Sequence, residues 1–171
     1  MREVSLAISD VAQNSIDAGA RHLRIAVEVD EERVSFEVSD DGQGMDKEVL
    51  TAALEDGRSF KGSTGIGLTL VRADAKQFEI SSEKGIGTTV RASYLRKDGA
   101  QLGDIGATML TLVGEGFDTV LELSIYGRTK RIDTGELKSS LSVAELQSRG
   151  VLRLARENIN KFIRQNGGAN L

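Results

Sequence analysis

Two runs of strict alternation close to the start of the chain limit its fold more than any other feature. His22–Asp30 carries Leu23, Ile25, Val27 and Val29 on one side, and Arg33–Val38 carries Val34, Phe36 and Val38. A period of two marks half-buried strands. Turned at Asp30-Glu31-Glu32, they read as an antiparallel pair with one face covered. His22, at the start of the first strand, is expected to be an exposed edge residue. With 19 glycines and no proline, the turns fall to Gly, Asn and Asp.

The second strand runs into Ser39-Asp40-Asp41-Gly42-Gln43-Gly44-Met45, and Asp46-Lys47-Glu48-Val49-Leu50 then reads as an acidic N-cap and first helical turn. An acidic, glycine-punctuated loop therefore sits where a strand becomes a helix. By itself it is equally an Asx-type turn. Upstream, Val4, Ala7, Ile8, Val11, Ala12 and Ile16 follow the spacing of an amphipathic helix over residues 2–17. Asp10, Asn14 and Asp17 form a polar row on its other face. That row is either a solvated face or a ligand-facing one; propensity does not explain Asn14 and Ser15, which are middling helix formers. Gly19 stands at a C′ position.

A helix over about 46–55 is followed by Asp56-Gly57-Arg58-Ser59-Phe60-Lys61-Gly62-Ser63-Thr64, which has the composition of a mobile loop or lid. Gly65-Ile66-Gly67-Leu68 then opens a helical pattern running to about Gln77. Glycines at a helix N-terminus leave backbone N–H groups open to an anion, and the dipole favours negative charge there. Phosphate is the candidate, with Lys61 or Arg58 folding over it; a plain flexible turn is the alternative. Phe78–Ser82 and Thr88–Tyr94 read as strands joined through Gly85 and Gly87. The order α-β-β-α-lid-α-β-β fits an α+β fold, a mostly antiparallel sheet with helices on one face. No strand–glycine loop–helix–strand unit of Rossmann type is present.

The ordered set Asp10-x-x-x-Asn14, Asp40-x-Gly42-x-Gly44, Gly65-x-Gly67 and Gly87-Thr88 resembles the Bergerat-fold (GHKL) ATPases. These are the histidine-kinase-like ATP-binding domains of gyrase, heat-shock chaperones, sensor histidine kinases and MutL. The resemblance covers roughly residues 1–96, with 97–171 as a C-terminal α-β-β-α accessory or partner-docking unit. Asn14–Ala20 is similar to the gyrase and MutL form of the first box. The glycine box, short lid and Gly85-x-Gly87-Thr88-Thr89 are similar to histidine kinases.

The resemblance implies ATP and Mg²⁺ as cofactors. Asn14 matches the single amide ligand to Mg²⁺, and sparse protein ligation suits that ion. Asp40 matches the carboxylate that accepts from the adenine amino group, and Thr88 the hydroxyl that supports it. Gly42, Gly44 and Met45 match the loop along the base. Lys61, Thr64, Gly65, Gly67 and Leu68 match the lid and phosphate box, and Asp17 the second acid of the first box. Asp10 matches the carboxylate, usually Glu, that orients the attacking water or serine in members that turn ATP over. Asp is one methylene shorter, and a surface carboxylate remains the other reading.

In the last 75 residues, Lys97–Gly103 reads as a linker and Ile105–Val113 as a short helix. Phe117–Tyr126 and Thr129–Ile132 flank a Gly127-Arg128 hairpin signal. Ser142 and Glu145 form a capping box, and Val151, Ala155, Ile159 and Phe162 mark one face of a final helix to about Gln165. Its opposite face carries Arg149, Arg153, Arg156, Lys161 and Arg164 but no aromatic for base stacking, and net charge is −4, so nucleic acid is not the expected partner. The first 96 residues hold 12 Lys/Arg against 17 Asp/Glu, whereas the rest hold 10 against 9. No cysteine and one histidine argue against thiolate or histidine metal sites and a Ser-His-Asp triad. No run has the length of a membrane span and none resembles a signal peptide, so a cytoplasmic protein is expected.

The expectation is a Mg-dependent ATP-binding protein, similar to stand-alone members of the class, with weak ATPase activity coupled to lid closure and to an unidentified protein partner, a second copy included. The alternatives are a serine/threonine kinase of the anti-sigma type and a non-catalytic ATP/ADP sensor. A self-sufficient histidine kinase fits poorly, because only 13 residues precede Asn14.

Overall fold

The computed structural model describes residues 2–55, 66–114 and 117–167. In chain order the elements are β1 (Arg2–Glu3), α1 (Val4–Asp17), β2 (His22–Val29), β3 (Arg33–Asp40), α2 (Lys47–Glu55), α3 (Ile66–Asp74), β4 (Gln77–Glu83) and β5 (Gly87–Leu95). After a 3-10 turn (Arg96–Asp98) come β6 (Ala100–Gln101), α4 (Ile105–Gly114), β7 (Asp118–Ile125), β8 (Arg128–Asp133), α5 (Thr134–Lys138), α6 (Val143–Leu146) and α7 (Arg149–Gly167).

Six strands form one sheet in the order β4-β5-β3-β2-β7-β8. Every neighbouring pair is antiparallel except β2 and β7, which run parallel with His22 opposite Asp118 and Val29 opposite Ile125. Alternation decides the faces. Leu23, Ile25, Val27, Val29, Val34, Phe36, Val38, Val90, Ala92, Leu121 and Leu123 share a buried core with Ile8 and Val11 of α1, Val71 of α3, Ile105 and Met109 of α4, and Ile159 and Ile163 of α7. Each of the Val, Leu, Ile, Phe and Met side chains contributes about 2 kcal/mol relative to leaving it in water. The other face is polar and carries ion pairs: Arg24 spans Glu37 and Glu122 at 2.5 Å each, and Arg91 meets Glu37 at 2.5 Å.

The α+β architecture and its covered face follow the sequence reading. Asp30 turns β2 into β3 by accepting from the amides of Glu32 and Arg33, and Gly19, at φ +74°, closes α1 as its C′ residue. Asp46 caps α2 through the Val49 amide.

Several expectations change. His22 is exposed but not on an edge, because β7 pairs with β2 on the side away from β3. The helix expected to reach Gln77 stops at Asp74, where the Lys76 amide already bonds the Ser93 carbonyl of β5. The linker expected at 97–103 contains β6, which pairs parallel with β1. The Ser142–Glu145 capping box forms but starts only the four-residue α6, and α7 begins separately at Arg149. The described elements on either side of residue 96 share one continuous sheet and one core.

Candidate functional site

Helix α1 carries the first group of candidates, and both the sheet and the C-terminal residues hold it. Its apolar repeat Ile8, Val11, Ala12 continues to Ser15, a buried polar side chain on the same stripe. Ser15 Oγ donates to Asp40 Oδ2 at 2.6 Å. At its start, the Ser5 amide bonds the Leu102 carbonyl at 2.9 Å and the Thr108 hydroxyl donates to the Ser5 carbonyl at 3.2 Å.

Asp40 ends β3 on the helix-covered side, opposite Thr88 of β5. Its Oδ1 accepts from the Gly42 amide at 2.9 Å and the Thr88 amide at 3.2 Å. It is therefore the amide of Thr88, not the hydroxyl, that bonds Asp40 directly. The Thr88 hydroxyl lies 2.8 Å from Ser82 Oγ, which also receives the Met45 amide at 2.8 Å.

The glycines of the acidic loop are explained by the protein's own backbone. Gly44 has φ +59°, and a Cβ there would sit 1.9 Å from the Glu83 carbonyl oxygen. At Gly87 a Cβ would come within 2.0 Å of the Asp40 carbonyl oxygen. The Gln43 amide bonds the Ala18 carbonyl at the end of α1, and the Gly85 amide bonds the Gln43 carbonyl. The loop is thus strapped between α1 and the β4–β5 hairpin.

Helix α3 comes onto α1 at Gly67, where a Cβ would lie 3.1 Å from Asp10 Cβ and 3.7 Å from its Oδ2. That contact joins the glycine box to the Asp10–Asn14 row. Partial burial raises the pKa of Asp10 above the usual aspartate value. Among the described residues neither the Asp10 carboxylate nor the half-buried Asn14 amide has a hydrogen-bond or ion-pair partner. Asp17 is different: it is exposed and accepts from Gln13 at 3.0 Å on its own helix. Leu68 packs at the edge of the core. Lys61, Thr64 and Gly65 lie outside the described residues.

Sequence reasoning missed Ser15, Ser82 and the neighbour of Asp40. A serine on the apolar stripe of α1 was a usable signal; nothing local marked Ser82. Asp41 points to the other side of the sheet, where its Oδ1 accepts the amides of Arg21 at 2.7 Å and His22 at 2.9 Å and its Oδ2 meets His22 Nδ1 at 2.6 Å. Slight burial pushes its pKa up, but the His22 amide and ring and the Arg21 amide outweigh that and hold it well below the carboxylate range. A groove of about 680 Å³ occupies the polar face of the sheet between Glu28, Ser35, Gln77, Ser93 and Thr129, away from this constellation. Among the described residues no cluster of His, Cys, Asp and Glu has metal-site geometry, and no helix is long and apolar enough to cross a membrane.

The fold is that of the GHKL ATP-binding superfamily. The family described as histidine kinase-, DNA gyrase B-, and HSP90-like ATPase matches residues 2–99, and the chain belongs to it. It is 36% identical over 107 residues to the sensor histidine kinase YxdK of Bacillus subtilis (strain 168), covering 55% of this chain and 33% of that protein. It is 31% identical over 96 residues to the anti-sigma F factor of Clostridium beijerinckii (strain ATCC 51743 / NCIMB 8052), covering 53% and 67%. The chain thus spans a third of the first relative and two thirds of the second. Among solved structures, the N-terminal domain of a DNA repair protein superposes with a TM-score of 0.59 at 15% identity, over 84% of this chain and 58% of that one. The Aquifex aeolicus MutL ATPase domain complexed with ADP gives 0.55 at 16%, over 78% and 63%. These likenesses show the fold.

Proposed function

We propose that this protein binds ATP with Mg²⁺ between α1, the acidic loop and the start of α3, and hydrolyses it slowly. The observation that carries this reading is the placement of Asp40. Its carboxylate is held by Ser15 and by the Gly42 and Thr88 amides, on the same helix face of the sheet as Asp10 and Asn14. A carboxylate oriented by three donors is a fixed acceptor, suited to an exocyclic amino group and opposed to a carbonyl, hence to adenine over guanine.

The donor set fits the cofactors. Asn14 offers a neutral amide oxygen with no partner among the described residues, suited to one position on a hard ion that keeps most of its waters. When bound, Mg²⁺ supplies charge neutralisation on the phosphate oxygens. The first turn of α3 offers amide groups at Gly67 and Leu68 to an anion. Asp10, beside Gly67 and without a partner among the described residues, accepts a proton from, and orients, an attacking water. Lid closure by the segment containing Lys61 and Thr64 belongs to this reading, as does regulation of a protein partner in the cytoplasm.

A second reading is a serine/threonine protein kinase, favoured by the similarity to the anti-sigma F factor and by the same Asp10, which would then activate a partner's hydroxyl. Incubating the pure protein with Mg-ATP labelled at the γ-phosphate, alone and with lysate, separates the readings. Free labelled phosphate is expected; a labelled partner gives the kinase, and neither product gives a sensor without turnover.

A further inference from the structure

Resting on the nucleotide reading above, we propose that His22 is a positioning residue through which the C-terminal strand β7 holds the base-recognition loop in place. His22 and Asp118 lie outside the family boxes, and their connection exists only because β7 inserts beside β2.

The register places His22 opposite Asp118, and the Asp118 amide bonds the Arg21 carbonyl at 3.1 Å, so β7 is fixed where β2 begins. The His22 ring stands between two carboxylates: Nδ1 is 2.6 Å from Asp41 Oδ2 and Nε2 is 3.6 Å from Asp118 Oδ2. Asp118 is held in turn by Lys138 of α5. The cleft around the ring is completed by Arg24, Asp133 and Gly135. Arg24 is engaged with Glu37 and Glu122, and Asp133 with Arg131.

Asp41 follows Asp40 directly, and the two side chains leave the strand on opposite faces. Fixing Asp41 from below therefore fixes the peptide that orients Asp40 above. On the remaining side the Asp40 carbonyl packs closely on Gly87, where a Cβ would come within 2.0 Å of its oxygen. The loop is thus restrained by the β4–β5 hairpin on one flank and by His22 on the other, and the second restraint reaches back through Asp118 and Lys138 to residues beyond 117.

An exposed ion pair contributes little to global stability, and the His22 side chain is 65% exposed. The contribution of such a contact is therefore expected in the geometry of the loop, not in the melting temperature. This separates a positioning role from a merely structural one.

The test measures Mg-ATP and Mg-GTP affinity by calorimetry, with thermal melting alongside, for the wild type, Asp40→Asn, His22→Ala, His22→Asn and Asp118→Asn. His22→Ala is expected to weaken ATP binding about fivefold and to lower the ATP/GTP ratio, with the melting point nearly unchanged. His22→Asn, whose amide can stand where Nδ1 does, is expected to recover most of the loss. Asp118→Asn is expected to cost about twofold, and nothing further when combined with His22→Ala. ATP binding by His22→Ala equal to wild type, while Asp40→Asn is impaired, overturns the proposal and leaves the nucleotide reading standing. A fall in both affinity and melting point that His22→Asn does not rescue overturns it in favour of a structural role. Absence of ATP binding by the wild type removes the nucleotide reading itself, and this proposal with it.

Discussion

At one end of the sheet, the polar groups of Asp30, Arg96 and Tyr126 are committed to one another. Asp30 receives two amides, and Arg96 donates to the Asp30 carbonyl and to the Tyr126 hydroxyl while its guanidinium lies 5.6 Å from the Tyr126 ring centroid. The Tyr126 amide closes the cluster on the Val29 carbonyl. At the other end, Asp40, Asp41 and Asp46 are just as fully hydrogen-bonded, yet Asp10 and Asn14 on the adjacent helix have no partner among the described residues. Both ends use the same turn chemistry. They differ in what is left over: the far end is a staple, whereas the near end is a rigid frame around two polar side chains that no other described residue engages. Groups held in a fixed frame with no partner among the described residues are open to a ligand, and on that ground the near end is the site we propose.

The largest effect expected in breaking this contrast is at the frame. Gly44→Ala forces a Cβ onto the Glu83 carbonyl at a positive φ, and denaturant unfolding should show a loss of about 3 kcal/mol. Asp40→Asn removes the charge of the fixed acceptor. ATP affinity by calorimetry should fall by about 1.5–3 kcal/mol, the range for hydrogen bonds involving a charged group, with poor GTP binding in the wild type as the companion observation. Equal wild-type affinity for ATP and GTP would remove the adenine assignment.

Asp10→Asn tests the unpartnered carboxylate. Single-turnover hydrolysis should slow about tenfold or more with affinity nearly unchanged, and Asp10→Glu should exceed the wild type if the shorter reach limits the rate. Because burial raises the Asp10 pKa, the active, ionised form is lost on acidification at a higher pH than for an ordinary aspartate. The wild-type rate should therefore fall with decreasing pH, and the Asn variant should lack that limb. The smallest effect belongs to the far end: Arg96→Ala should cost about 1 kcal/mol of stability and leave ATP affinity unaltered. A change in affinity there would show that the two ends are not independent.

Much of this was legible because its causes are local. Alternation in β2 to β5, the Asp30 and Asp46 turns, the Gly19 C′ position and a hairpin, read at Gly127-Arg128 and formed one residue earlier at Tyr126-Gly127, are all set by neighbours within a few residues. The family boxes were equally readable as ordered residue types, and Asp10 beside Asn14 follows from helical spacing alone. The sequence also supplied Gly44 and Gly87, but not the reason for them. Their backbone contacts are with Glu83 and Asp40, on other strands.

What only the tertiary structure decided is which residues meet across long separations. Ser15 and Asp40 are 25 positions apart, and Arg24 and Glu122, which tie β2 to β7, are 98 apart. No periodicity encodes such pairs, because they depend on the order in which strands join the sheet. The parallel insertion of β7 beside β2 turned an expected appendage into part of the main sheet, and His22 from an edge residue into a link between its two halves. Local chemistry fixes what each segment can become, whereas burial of one shared apolar face decides which segments lie side by side.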